Sequence, residues 1–143
     1  MVAFNKFNQF VEDLGQKVHN LGTGGDTLKL LLTNTAPVAT NSVKADLTEI
    51  TAQNGYSAGG PTVASTDFQQ TSGTAKLTGT DNVITASGGT IGPFRYVVLY
   101  NDTPTSPADP LIGWWDYGSA ITLQDGETFT TDFDGSAGIL TVA

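Results

Sequence analysis

Short runs of strand-like residues, separated by tight-turn residues, are the feature that most constrains this chain. After the glycines at positions 22, 24 and 25, the apolar pattern takes a period of two, as in a strand with a buried face. Strand candidates then recur about every 8–12 residues, which is typical of a sandwich or barrel. They are 28–32, 62–65, 74–78, 83–86, 94–100, 111–117, 120–123, 127–133 and 138–142. We predict an all-β fold, a β-sandwich or jelly-roll of about eight short antiparallel strands with an N-terminal amphipathic α-helix.

Composition and turn residues favour the same fold class. Of 143 residues, 22 are Thr and 17 are Gly. Thr packs well on a pleated surface, and Gly marks turns and bulges. Asp125-Gly126 and Asp134-Gly135 are strong tight-turn signals. The length suits one domain with a sizeable core.

The first segment has the period of a helix. Its apolar residues recur at intervals of three and four, so that a helix over positions 4–21 carries them on one face. They are Phe4, Phe7, Phe10, Val11, Leu14, Val18 and Leu21. We predict a helical arm with a glycine-rich hinge over residues 1–24 and a β-sandwich domain over residues 25–143. The apolar face is expected to pack on this domain or on a partner.

The charge is acidic and unevenly distributed. The chain has 6 basic and 14 acidic side chains, a formal net charge of −8. Residues 81–143 contain only Arg95 against eight acids, whereas residues 1–80 are nearly neutral. Nucleic acid is not an expected partner, because its phosphates are bound by clustered Lys and Arg. A membrane is not expected either, since no apolar run approaches ~18 residues and the helical segment has few basic residues.

Reactive residue types are scarce. The chain has no cysteine and a single histidine, His19, which excludes disulfides, thiolate zinc sites and sites with several histidines. Gly-Tyr-Ser-Ala-Gly at 55–59 fits the Gly-x-Ser-x-Gly pattern, but it stands in a glycine-rich loop rather than between a strand and a helix. We predict that His19 lies at the surface or in an interface near the end of the helix. We predict no catalytic, cofactor-binding or metal-binding residue. The N-terminal residues lack the features of a signal peptide, so we expect synthesis in the cytoplasm.

Pairs of carboxylates stand close together in the acidic half. They are Asp102 with Asp109, Asp125 with Glu127, and Asp132 with Asp134. The preferred interpretation is a hairpin in which Asp132 faces solvent and Asp134-Gly135 forms the turn. Two alternatives stay open: a calcium site, since hard cations bind clustered carboxylate oxygens, and glycoside hydrolysis, which uses two carboxylates.

Two consecutive tryptophans, Trp114 and Trp115, stand on a predicted strand. Neighbouring side chains of a strand point to opposite faces. One ring is therefore expected in the core and the other on the outer face or in an interface. With the seven apolar residues of the arm, they are the candidate partner-binding residues. An exposed aromatic ring also suits a carbohydrate-binding module or a glycan hydrolase, which is a further alternative.

Three segments together resemble known proteins. The first is Leu-Lys-Leu-Leu-Leu-Thr-Asn-Thr-Ala-Pro at 28–37, with 45–50 and Gly55-Tyr56 downstream. The second is 85–102, which includes Pro-Phe-Arg-Tyr-Val-Val-Leu-Tyr-Asn-Asp at 93–102. The third is Pro-Leu-Ile-Gly-Trp-Trp-Asp-Tyr-Gly at 110–118, with 126–129. As a set, they resemble small virion structural proteins of tailed bacteriophages.

The resemblance implies a non-enzymatic, β-rich part of a phage particle, without catalytic residues or a cofactor. The first expectation is a capsid decoration (cement) protein that binds and stabilises the lattice of the major capsid protein. Its partners would be the major capsid protein or another virion protein, and further copies of itself in a homo-oligomer such as a trimer. The alternative is a tail-associated component, such as a fibre, tube or adaptor subunit. Either implies location in the virion.

Overall fold

The computed structural model describes residues 2–143, which form nine strands, one α-helix and one 3-10 turn. The strands are β1 (Phe4–Lys6), β2 (Leu28–Thr33), β3 (Asp67–Thr71), β4 (Thr74–Thr78), β5 (Asn82–Thr85), β6 (Ile91–Asn101), β7 (Leu111–Leu123), β8 (Thr128–Thr131) and β9 (Leu140–Val142). The helix α1 spans Asn8–Gly15, and the 3-10 turn spans Lys44–Asp46. The mostly-β prediction is confirmed, and so is a helix near the N-terminus.

The strands form three antiparallel sheets. The largest has the order β1-β7-β6-β2, the second has the order β3-β4-β9, and β5 pairs with β8. The two longest strands, β6 and β7, are neighbours at the centre of the largest sheet. Ile112 is an extra residue in β7 at a bulge, because Leu99 is opposite Gly113 while Tyr100 is opposite Leu111.

Both faces of the largest sheet are covered. On one face, Leu30 and Leu32 belong to the main core, to which all three sheets contribute. On the other face, Leu31 joins a smaller buried cluster with Phe7 and Tyr100. Burial on both faces explains why Leu30, Leu31 and Leu32 are consecutive, since a strand with one solvated face alternates with polar residues.

The loop between β2 and β3 runs along the edge of β2 and packs on both faces of this sheet, since Ile50 and Tyr56 contact the main core and Leu47 contacts the smaller cluster. Leu47 packs on the smaller cluster, and the Ile50 amide donates to the Leu32 carbonyl at 3.1 Å. The buried Tyr56 hydroxyl accepts a hydrogen bond from the Leu32 amide at 3.0 Å and donates to Glu49 at 2.8 Å. Burial raises the pKa of Tyr56 well above its ordinary value. The loop is therefore attached to β2 by main-chain and side-chain hydrogen bonds.

Three strand predictions need correction. Residues 62–65 are not a strand; this segment runs beside β2, and only Thr62 forms a bridge, with Lys29. The candidates 111–117 and 120–123 are parts of one strand, β7, which continues through Gly118 at a φ of 87°. β3 was not predicted, because Asp67–Thr71 is largely polar and lacks apolar alternation.

The prediction of one helix over residues 4–21 is wrong in its extent. Residues 4–6 form β1, in which Phe4 is opposite Trp115 of β7. Phe7 keeps an extended backbone and donates its amide to the Ile112 carbonyl, so that the helix starts only at Asn8. The helix ends at Gly15, and Lys17 adopts a φ of 64°. Pairing with β7 outweighs the weak helix preference of this glycine-containing segment.

Candidate functional site

The predicted partner-binding residues do not share one exposed face. Several lie inside this chain's own core: Phe7, Phe10, Leu21 and Trp115. Phe4, Leu14, Val18 and Trp114 are half-buried. Val11 alone is largely exposed, at 55%. The strand, helix and irregular segment direct these side chains differently, so the apolar stripe expected of a single helix is not formed.

The two tryptophans occupy opposite faces of the largest sheet. Trp115 is buried in the main core, where its ring lies 5.2 Å from Phe4 and 5.9 Å from Phe133 between centroids. Trp114 is half-buried against the smaller cluster, 4.5 Å from the Phe7 ring. Both rings pack on this chain's own aromatic residues. A sugar-binding platform would therefore be limited to the outward part of Trp114.

An apolar groove lies between the N-terminal elements and β9. Its volume is about 540 Å³, and Lys6 supplies the only charged side chain of its lining. On one side it is lined by Phe4, Lys6, Phe10, Val11 and Leu14, and on the other by residues 137–142. The structure thus brings four of the predicted partner-binding residues, Phe4, Phe10, Val11 and Leu14, together with the C-terminal strand. Nothing in the sequence pattern connects these two segments, which lie at opposite ends of the chain.

His19 lies in a buried polar cluster, so the prediction of a surface or interface position is wrong. It is 8% exposed, and its ring centroid lies 5.3 Å from that of Phe10. Its Nδ1 lies 3.0 Å from the side-chain nitrogen of Asn101, Nδ2, which also donates a hydrogen bond to Asp26 at 2.6 Å. Asp13, at 3% exposure, is a further buried member. The segment after the helix folds back onto β6 rather than continuing outward.

The hydrogen bonds of this cluster determine the protonation state of His19. The side-chain oxygen of Asn101, Oδ1, accepts a hydrogen bond from the Thr103 backbone amide. The two N–H groups of its side-chain nitrogen, Nδ2, are therefore directed at Asp26 and His19. Nδ1 of His19 then acts as the acceptor, which places the ring proton on Nε2, a buried nitrogen without a hydrogen-bond partner among the described residues. Burial lowers the pKa of His19 below its ordinary value of 6.5, and the charges of Asp13 and Asp26 oppose this shift. The neutral imidazole is therefore the form that fits the fold.

The carboxylates of the acidic half stabilise turns and strand ends. Asp134 accepts hydrogen bonds from the amides of residues 136 and 137, which hold its pKa below the ordinary value. Asp125 accepts from the Gly88 amide, and Glu127 accepts from the Gln124 amide. Asp102 forms an ion pair with Lys29 at 3.0 Å. Asp132 is exposed beside the buried Phe133, as predicted. The predicted hairpin is not formed, because β8 pairs with β5 and β9 pairs with β4, and only a bridge between Asp134 and Gly138 joins the two sides of the turn.

Across residues 2–143, no group of three or more acidic, histidine or cysteine side chains is arranged to hold a metal ion. Within the same range, no helix has the length and apolar character needed to cross a membrane. Comparison of the chain with family models, curated proteins and solved structures finds no match.

Proposed function

We propose that this chain is a structural protein of a tailed-phage virion, and specifically a capsid decoration protein that binds and stabilises the major capsid protein lattice. One observation carries the proposal. The longest stretches that resemble phage virion proteins, 28–37, 85–102 and 110–118, include β2, β6 and part of β7, which are adjacent strands of the largest sheet. The shorter stretches 45–50, 55–56 and 126–129 lie outside these strands. The main part of the resemblance therefore concerns neighbouring strands of one sheet.

The chemistry of the side chains supports a packing role. The only histidine is buried and hydrogen-bonded through Nδ1 to Asn101. Asp125, Glu127 and Asp134 accept hydrogen bonds from backbone amides in turns. These groups organise the fold, and the chain as a whole has only 14% charged residues and 17 glycines. Such a composition suits close contact with other subunits.

We also propose the finer architecture. The main core includes Leu32 and Val97 of the largest sheet, Leu77 of the three-stranded sheet and Phe129 of the two-stranded sheet. Sheets that share one core between their inner faces make a sandwich. A β-sandwich or jelly-roll, in which the largest sheet faces the two smaller sheets, is the arrangement that this core supports.

Location and copy number in purified particles test the function. The full chain carrying a small C-terminal epitope is expressed during infection, and particles are labelled with gold-conjugated antibody for electron microscopy. Label distributed over the head surface, with a copy number that matches the capsid lattice, is the expected result. Label at one vertex with a few copies would favour the tail-associated alternative. Absence of the chain from purified particles would overturn both virion roles.

A reconstitution experiment tests the stabilising role. Expanded heads that lack the chain are incubated with the purified protein, and their disruption on heating is followed by light scattering and release of DNA. Bound protein is expected to raise the disruption temperature, because a ligand that binds only the intact lattice stabilises it by mass action. Saturable binding without any rise would contradict a cement function.

A further inference from the structure

Two buried polar atoms of the His19 cluster have no hydrogen-bond partner among residues 2–143. They are Nε2 of His19 and Oδ2 of Asp13, and the two residues are 8% and 3% exposed. A buried donor or acceptor that stays unpaired loses its hydration without compensation, so native folds rarely contain one. Two such atoms in one cluster point to a group that pairs with both.

The two side chains lie close to each other beside helix α1. Asp13 and Phe10 are three residues apart and share one face of this helix, and the Phe10 ring lies 5.3 Å from the His19 ring between centroids. The Val18 amide donates to the Asp13 carbonyl at 3.0 Å, which turns the chain before His19 back onto the helix. The Asp13 charge acts on His19, since it opposes the lowering of the His19 pKa by burial. The two atoms are thus neighbours without a direct hydrogen bond between them.

The chemistry of the two atoms defines the group that can join them. Nδ1 of His19 accepts from Asn101, so Nε2 carries the ring proton and is a donor, whereas Oδ2 of Asp13 is an acceptor. The joining group must therefore accept from an N–H and donate to a carboxylate. A metal or ammonium ion has no lone pair to accept from the N–H, and an anion would be repelled by the charges of Asp13 and Asp26. Water accepts and donates, and it is small enough for a buried cluster.

We propose that one buried water molecule accepts a hydrogen bond from Nε2 of His19 and donates one to Oδ2 of Asp13. Buried waters in native proteins pair with polar groups that the chain itself leaves unsatisfied. The bridge completes a hydrogen-bonded path from helix α1 through His19 and Asn101 to strand β6. It also holds one wall of the apolar groove in place, because Val11 and Leu14 of the same helix line that groove.

NMR spectroscopy of the full chain at neutral pH, with ¹⁵N in its single histidine, tests the proposal in solution. The expected result is an imidazole protonated at Nε2, whose proton exchanges slowly with solvent and shows a nuclear Overhauser effect to a long-lived water. A ring proton on Nδ1, or an Nε2 proton without such an effect, would overturn the proposal. A crystal structure is expected to place one water at about 3 Å from both atoms. A direct contact between the two atoms, or a metal ion between them, would also overturn it.

A substitution with a matched control tests the role of Asp13. Asp13→Leu removes the acceptor, so it is expected to abolish the water signal and to speed solvent exchange of the Nε2 proton about tenfold or more. Glu12→Leu makes a comparable change at the exposed neighbouring position of the same helix and is expected to alter neither. An Asp13→Leu protein that keeps the water signal and the wild-type exchange rate would overturn the proposal.

Circular dichroism verifies the fold of each variant. If Asp13→Leu does not fold, the measurements on the wild-type protein decide the proposal by themselves. None of these experiments involves a phage particle, so a failure of the water bridge is distinct from a failure of the virion role.

Discussion

Mild acid is expected to destabilise this fold through one residue, His19. The imidazole is buried and neutral, and its Nδ1 accepts a hydrogen bond from Asn101. Protonation would place a second N–H against that donor and a charge in a buried site. Burial lowers the pKa of His19 in the folded state, whereas in the unfolded chain it keeps its ordinary value of 6.5.

The sign and size of the effect follow from this difference. At pH values well above 6.5 the ring is neutral in both states and contributes no pH dependence. Below it, the unfolded chain binds a proton that the folded chain does not, so the free energy of unfolding falls as the pH falls. One proton corresponds to at most about 1.4 kcal/mol per pH unit. The loss ends once the pH is below the lowered pKa of the folded state.

Urea unfolding, followed by tryptophan fluorescence at a series of pH values, measures the effect. His19→Asn is the control, because an asparagine carbonyl can still accept from Asn101 but does not titrate. It is expected to be less stable than the wild type at neutral pH, since it loses contact with the Phe10 ring. The stability difference between the two proteins should shrink as the pH falls from about 7 to about 5.

Two results would refute this reasoning. One is a pH dependence of stability that is the same in His19→Asn as in the wild type. The other is an NMR titration of the imidazole with a pKa at or above 6.5. Because the chain has a single histidine, its ring resonance is assigned without further variants.

Three further predictions concern packing and hydrogen bonds, each measured as the free energy of unfolding in urea. Leu77→Ala should cost about 2–5 kcal/mol, because Leu77 is fully buried, whereas Val83→Ala at an exposed site should cost under about 0.5 kcal/mol; similar losses would contradict the core assignment. Tyr56→Phe should cost about 1–3 kcal/mol, since it leaves a buried amide without its acceptor, and an unchanged stability would argue against that bond. Gly113→Ala should cost about 1–3 kcal/mol, because an added Cβ would overlap the Phe4 ring; a neutral effect would mean that β1 packs elsewhere.

The strands best predicted from the sequence are those in which a local pattern and the final environment agree. β2 and β4 have apolar runs or alternation bounded by turn residues, and both form close to the predicted bounds. β3 lacked such a signal, because as an exposed edge strand it buries few of its side chains. A polar edge strand is held mainly by main-chain pairing, which leaves no pattern in its own sequence.

The N-terminal segment shows why a local period can mislead. The spacing of Phe4, Phe7 and Phe10 fits a helix, yet Phe4 belongs to a strand, Phe7 to the extended residue before the helix, and Phe10 to the helix. Phe7 lies in the smaller cluster and Phe10 in the main core. Where each ring goes depends on β7, which lies more than 90 residues away, and a local pattern contains no information about that contact.

The sequence by itself determined the β class of this protein, the positions of most strands and turns, and the scarcity of reactive groups. These depend on neighbouring residues: the period of two, the turn glycines, and the counts of Cys and His. Only the tertiary structure decided that His19 is buried against Asn101, that Trp115 lies in the core, and that β9 adjoins Val11 across the apolar groove. Each of these depends on contacts between distant segments, which chain folding creates and local propensity does not record.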